Sequence, residues 1–265
     1  MQIRKPFPIS DPKLAARLVR PQFPLSNRYD PWWIAENQMG PHPIWLTESL
    51  LGVAPLPSTA RVLDLGCGKA LTSMFVAIET GTQVWATDLW IPAADNLRRI
   101  EAAELTERVF PIHSEAHWLH FAKGYFDAIF SIDAYHYFGT DEVYLAYLSK
   151  FLRPGGLLGI VMPGLTAELD LIPEHLESWF PRSAGFHSPE WWRRHLSASG
   201  LVTIDCADLI PDGWRLWADW CRICSDLPLE PIFPGSKEHT VKERDAIELD
   251  AGRTMGFVRI VAHKA

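Results

Sequence analysis

Three short stretches of the chain carry residue types that can do chemistry. The first is Asp64-x-Gly66-x-Gly68, inside "VLDLGCGKA", with Cys67 between the two glycines. Glycines at this spacing let the backbone approach a ligand where a Cβ would intrude. Asp64, at the end of an apolar run, adds a negative charge that suits an ammonium group better than a pyrophosphate. The second is Asp88, 24 positions after Asp64, at the end of "QVWATD". An acid there can accept both hydroxyls of a ribose. The third is "SIDAYHYF", Ser131 to Phe138. It offers Asp133, Tyr135 and His136 as catalytic candidates. His136 has the titration range of a general base.

The loop excludes some ligands. A dinucleotide site wants a third small residue where this chain has Leu71, because close helix–strand packing depends on it. No Gly-Lys-Ser/Thr follows the glycines, so a phosphate-cradling P-loop is absent. An amino-acid moiety joined to an adenosine ribose satisfies both acids, and that describes S-adenosylmethionine. His113, Glu115, His117 and His120 have metal-ligand side chains but fall in a stretch that reads as loop, so no metal is expected. Cys221 and Cys224 form a lone CxxC without two further ligands nearby. They read as two small residues on one helix face.

The elements that must hold these residues alternate. "RVLDLG", "QVWATDL", "RVFPIH", "FDAIFSID" and "GLLGIVMPG" read as buried strands, with helical spacing in "ALTSMFVAIET", "PAADNLRRIEAAEL" and "DEVYLAYLSKFL" between them. "SPEWWRRHLSASG" is a helix bounded by a Ser cap, a Pro and a terminal Gly. "LVTIDCADL" and "TMGFVRIVAHK" close as strands. This pattern predicts an α/β fold: a Rossmann-like, mostly parallel seven-stranded sheet with helices on both faces. Ligands then bind beyond the carboxyl ends of the strands. Residues 1–58, rich in Pro and aromatics, read as an N-terminal helical cap. Its two short helices are separated by the Gly40-Pro41 turn. Residues 59–265 form the cofactor-binding domain, with insertions at 163–187 and 208–253 free to build a substrate pocket.

The combination "VLDLGCGKA…VWATDL…FDAIFSIDAYHYF…FLRPGGLLGIV" resembles the class I S-adenosylmethionine-dependent methyltransferases, over about residues 60 to 162. The chain looks most like bacterial small-molecule enzymes of the sarcosine/dimethylglycine and cyclopropane-synthase-like kind. Ala70 stands where many members carry a third glycine. The resemblance implies that Asp64, Gly66, Cys67 and Gly68 lie against the methionine end and that Asp88 takes the ribose. It further implies that Leu89 packs on the adenine, that Ala116 and His117 meet its edge, and that Ser131 sits beside the sulfonium. By the same resemblance "NQMGP", Gln38 to Pro41 with Gly40 at its turn and Tyr29 nearby, closes over the cofactor.

Twelve tryptophans in 265 residues fill core space, and some are available to line a pocket. Cations are attracted to such rings, and flat phenols stack on them. The acceptor is therefore expected to be a small molecule, an amine ahead of a phenol, a thiol or a fatty acyl chain. A non-catalytic S-adenosylmethionine-binding sensor or assembly protein is the other reading. The net charge of −7 and the lack of a basic block argue against nucleic acid. No apolar run reaches membrane-spanning length, and the first residues lack a hydrophobic signal segment, so a cytoplasmic protein without membrane partners is expected. Oligomeric state is not legible.

Overall fold

The computed structural model describes residues 4–181, 185–230, 232 and 234–265. Residues 1–3 of the expected cap, 182–184 of the first expected insertion, and 231 and 233 of the second lie outside the described residues.

Three helices precede the sheet: α1 (Pro12–Leu18), α2 (Pro31–Asn37) and α3 (Pro43–Leu51). Each begins with Pro, whose fixed φ suits a first helical turn, and each has a side-chain cap. Asp11, Asp30 and His42 accept backbone N–H bonds there. The helix α1 was not expected from the sequence, which was read as two short cap helices around the Gly40-Pro41 turn. The Rossmann-like part follows as β1 (Arg61–Leu65), α4 (Leu71–Thr80), β2 (Gln83–Asp88), α5 (Ala93–Ala102), β3 (Val109–His113), β4 (Phe126–Ile132), α6 (Tyr144–Leu148) and β5 (Leu152–Leu165). It ends with α7 (Pro189–Ser197), β6 (Val202–Leu209), α8 (Gly213–Asp226), α9 (Ser236–Asp250) and β7 (Met255–Lys264).

The seven strands form one sheet in the order β3-β2-β1-β4-β5-β7-β6. The first five run parallel, and β7 enters antiparallel between β5 and β6. The strand order reverses between β1 and β4, and the crevice beyond their carboxyl ends is the expected ligand position. One buried cluster joins Val62, Val84, Phe130 and Val161 of the sheet to Trp33 and Trp45 of the cap and to Trp217 and Trp220 of α8. The other joins Leu63, Ile129 and Ile160 to Tyr144 of α6 and Trp192 of α7. Alternate residues of one strand thus feed opposite faces. Of the two stretches that interrupt the alternation, the second holds two helices, α8 and α9, packed on each other. The first starts only after β5, which runs to Leu165, longer than its apolar core suggested.

Candidate active site

A cavity of about 300 Å³ opens at the carboxyl ends of β1, β2 and β4. Its floor is the β1–α4 loop. Gly66 and Gly68 have φ of +79° and +53°, the left-handed region that favours glycine. A Cβ on Gly66 would collide with that of Ala134. The loop is pinned from three sides. The N–H groups of Gly66 and Cys67 donate to the Thr87 carbonyl at 2.8 and 3.1 Å. The Gly68 N–H donates to Asp88 Oδ2 at 2.8 Å, and Asn96 Nδ2 donates to the Gly68 carbonyl at 2.9 Å. Ala70 also holds a positive φ, +61°, a conformation that glycine adopts more readily.

Asp64 lies buried beneath this loop. Its Oδ2 accepts from the hydroxyls of Thr72 and Ser73, and its Oδ1 has no partner. Burial pushes its carboxyl up to about 6, against the pull of the Ser73 and Thr72 bonds. Asp88 lines the cavity. Its Oδ1 accepts from the N–H groups of Trp90 and Ile91 at 2.7 and 2.9 Å. These bonds orient the carboxylate and leave lone pairs for a ligand's hydroxyls. Thr87 also lines the cavity, and its buried hydroxyl has no partner.

The cap supplies the opposite wall. Asn37, Met39, Gly40 and Pro41 line the cavity, and the Met39 sulfur lies close above Gly68. Lys69 lines it too; its Nζ donates to the Glu36 carbonyl at 3.0 Å, and burial lowers its pKa. Leu89, Ala116 and His117 line the far end, where His117 Nδ1 sits 2.7 Å from Glu115 Oε1. Trp90 and Tyr137 stand at the rim, 65% and 59% exposed, with ring centroids 5.8 Å apart.

Five of the expected residues lie elsewhere or contact the cavity only indirectly. Asp64 is under the loop rather than on the cavity wall. Ser131 is fully buried and donates to the Leu65 carbonyl at 2.8 Å, tying β4 to β1. Tyr29 donates to Glu79 Oε1 at 2.7 Å and packs on Phe75, fastening the cap to α4. Tyr135 belongs to the core on the other sheet face, against Phe138, Tyr144 and Trp192. His136 is buried between Tyr137 and Phe186, with Nδ1 unpartnered. Burial without an acid partner lowers its pKa to about 3, so the ring is neutral near pH 7. The three-residue 3-10 turn Tyr135–Tyr137 explains the split. Its tight winding points successive side chains in different directions, so only Tyr137 of the turn reaches the cavity.

Asp133 does line the cavity. It holds a φ of +58°, unusual for a residue other than glycine. Its carboxylate accepts no hydrogen bond and forms no ion pair among the described residues. Burial pushes it well above the usual carboxylate range, and Glu243 of α9 adds to the rise. Lys69, Met39, Thr87 and Trp90 were not legible as site residues, because each reaches the cavity through a contact distant in sequence or through a loop.

The residues present fit S-adenosylmethionine. A glycine loop that excludes side chains, an orphaned buried carboxylate oxygen beneath it and an oriented acid 24 positions on are the features its amino-acid and ribose ends require. Comparison with known proteins agrees. A family model described as a methyltransferase domain matches residues 62–156. The ubiquinone biosynthesis O-methyltransferase of Xanthomonas campestris pv. campestris is 32% identical over 204 residues, covering 72% of this chain and 82% of that protein. The 27-O-demethylrifamycin SV methyltransferase of Amycolatopsis mediterranei is 28% identical, covering 83% of this chain and 82% of its own. In fold, the chain is similar to phosphoethanolamine N-methyltransferase 2 of Haemonchus contortus, solved with S-adenosylmethionine. There the TM-score is 0.71 at 20% identity, over 97% of this chain and 61% of that one. With the loop, the sheet order and these relatives together, the chain belongs to the class I S-adenosylmethionine-dependent methyltransferases and is an enzyme that uses that donor on small molecules.

Proposed function

We propose that the enzyme methylates the nitrogen of a small amine bound between Asp133, Tyr137 and the donor. The observation that carries this reading is the unpartnered Asp133 carboxylate in the cavity wall. An acid held there without a cation is matched by a ligand that brings one. Tyr137 and Trp90 at the rim offer ring faces to the same charge.

In this reading Gly66, Cys67, Gly68 and Asp88 hold the donor, with Leu89, Ala116 and His117 around its base. Lys69 takes its carboxylate, and Asp64 supports its ammonium from beneath the loop. The donor, when bound, supplies a methyl group already activated on a sulfonium. The chain's own residues then have three tasks. Met39 and Gly40 of the cap exclude water. The loop and β4 align donor and acceptor. Asp133 binds the incoming ammonium and takes a proton from it, which frees the nitrogen lone pair for attack. His136 has no part in this, and the cap 1–58 serves as the wall over the donor rather than as a separate unit.

A hydroxyl acceptor is the second reading. Of the two relatives named above, one is a ubiquinone biosynthesis O-methyltransferase and the other a 27-O-demethylrifamycin SV methyltransferase; with a hydroxyl acceptor, Asp133 would take the hydroxyl proton. Incubation with methyl-deuterated S-adenosylmethionine and a pool of amines, phenols, thiols and fatty acids distinguishes the two. The expected product carries the label on nitrogen. A label on oxygen, sulfur or carbon overturns the amine assignment.

A further inference from the structure

We propose that Arg99, on α5, is a positioning residue for methyl transfer that latches the cap to the β1–α4 loop, so that the two walls of the donor site close on the donor as one unit. The proposal rests on the placement of the donor against that loop and is independent of the acceptor's chemistry.

Asn96 and Arg99 are three residues apart and share one face of α5. That face meets the seam between loop and cap. Asn96 is buried; its Nδ2 donates to the Gly68 carbonyl at 2.9 Å, and its Oδ1 accepts from Arg99 Nη1 at 3.1 Å. Arg99 Nε donates onward to Asn37 Oδ1 at 3.0 Å, at the end of α2. On the other side of the loop, the Gly68 N–H donates to Asp88 Oδ2 at 2.8 Å. An unbroken hydrogen-bonded chain thus runs from Asp88 through Gly68, Asn96 and Arg99 to Asn37. Its two ends and Gly68 all line the cavity. A second tie runs beside it, from Lys69 Nζ to the Glu36 carbonyl at 3.0 Å. The end of α2, which has no glycine cap, is therefore held by side chains of the loop and of α5.

Packing alone already anchors the cap, through the cluster around Trp33 and Trp45. What Arg99 adds is direction. Its guanidinium is half-buried and forms no ion pair among the described residues, whereas the exposed Arg98 beside it takes Asp95 at 3.1 Å. The charge of Arg99 goes instead to two neutral amide oxygens, which makes both bonds stronger than neutral ones. A planar guanidinium presents its donors at fixed angles, so Asn96 and Asn37 are held in one mutual geometry. Met39 follows Asn37 by two residues. It is thereby set over Gly68, so close that a Cβ on that glycine would strike the Met39 sulfur. The donor lies between these walls, and it leaves when the latch opens. Loss of the latch therefore shows in the dissociation rate, where changes at one binding site are mostly found.

Surface plasmon resonance of S-adenosylhomocysteine over the immobilised full-length protein gives both rate constants. Arg99→Met, which keeps the length and removes every donor, is expected to speed dissociation by about tenfold and to change association by less than about twofold. Arg99→Lys, which keeps the charge but not the fork, restores part of the difference, and it carries the comparison if Arg99→Met does not fold. Asn37→Ser breaks the same bond from the cap side. The double variant Arg99→Met/Asn37→Ser is expected to dissociate within about twofold of the faster single variant, because both remove one interaction. Arg98→Gln, on the exposed side of the same helix, dissociates as the wild type does. An unchanged dissociation rate in Arg99→Met, even with a lower donor-free melting temperature, makes Arg99 an ordinary structural residue and overturns the proposal. So do effects of Arg99→Met and Asn37→Ser that multiply in the double variant. Asp88→Ala separates the two readings. If it weakens S-adenosylhomocysteine while the Arg99 variants do not, this inference alone fails; if it leaves binding unchanged, the placement of the donor fails.

Discussion

Asp64 and His136 are both buried titratable groups, and their environments push them in ways that can be measured. Asp64 has a raised folded value near 6 against 3.8 for the free side chain. The folded state therefore prefers the neutral form. Its relative advantage is complete below the unfolded value and is lost as pH rises through 6. Asp64→Asn is expected to match the wild type near pH 4 and to exceed it by roughly 1–3 kcal/mol at pH 8 in the donor-free protein. Urea unfolding at the two pH values checks this, and a variant less stable at pH 8 contradicts it. The cost of an ionised Asp64 is consistent with a residue kept for the donor's ammonium. For His136 the expectation is a flat ring-proton NMR titration from pH 5 to 8, since burial holds its folded value near 3. An inflection near 6.5 would show a ring in contact with solvent or an acid, and would return it to the proton-transfer role.

At the scale of elements, the β1–α4 loop is the part most constrained by backbone conformation. Gly66→Ala imposes a left-handed φ on a residue with a Cβ, a cost of about 1–2 kcal/mol, and adds the collision with Ala134. The variant is expected to melt several degrees lower and to bind the donor at least about tenfold more weakly. Thermal melts with and without S-adenosylmethionine test both. Retention of wild-type affinity would mean the loop is not the donor's floor. The same scale shows what was legible in the sequence. The loop, Asp88 and the strand–helix alternation were readable because their signals are local: glycines at fixed spacing, apolar runs ending in acids, caps such as Ser188. The direction of each side chain in "SIDAYHYF" was not. A 3-10 turn sends Tyr135, His136 and Tyr137 to three different surroundings, and no periodicity in three residues reveals that. Ser131 and Tyr29 were placed near the donor because of their position in the motif. The structure shows them spent on hydrogen bonds to Leu65 and Glu79. Met39 stands 94 positions before Asp133 in the chain, and only the fold brings both to the cavity.

The whole molecule couples the cap, the sheet and α8 through one buried cluster in which Trp33, Trp45, Trp217 and Trp220 are almost fully covered. Among the described residues, no helix is long and apolar enough to cross a membrane. Because cap and loop face each other across the donor site, donor binding should be felt as global stability. A ligand at about 100 times its Kd contributes about 2.7 kcal/mol. For a chain of this length that is roughly 5–10 °C in Tm. Asp133→Asn, at the acid proposed to meet the acceptor, is expected to keep this shift. A lost shift in that variant would place Asp133 in the donor site instead.

In the proposed reading one cavity holds two ligands through two different acids, the donor through Asp88 and the acceptor through Asp133. Calorimetric isotherms of S-adenosylmethionine with the wild type, Asp88→Ala and Asp133→Asn test it directly. The expected result is a loss of about 1–3 kcal/mol in donor binding for Asp88→Ala, and a donor Kd within about twofold of the wild type for Asp133→Asn. An unchanged Kd in Asp88→Ala, or a loss confined to Asp133→Asn, would contradict the division of the site between them.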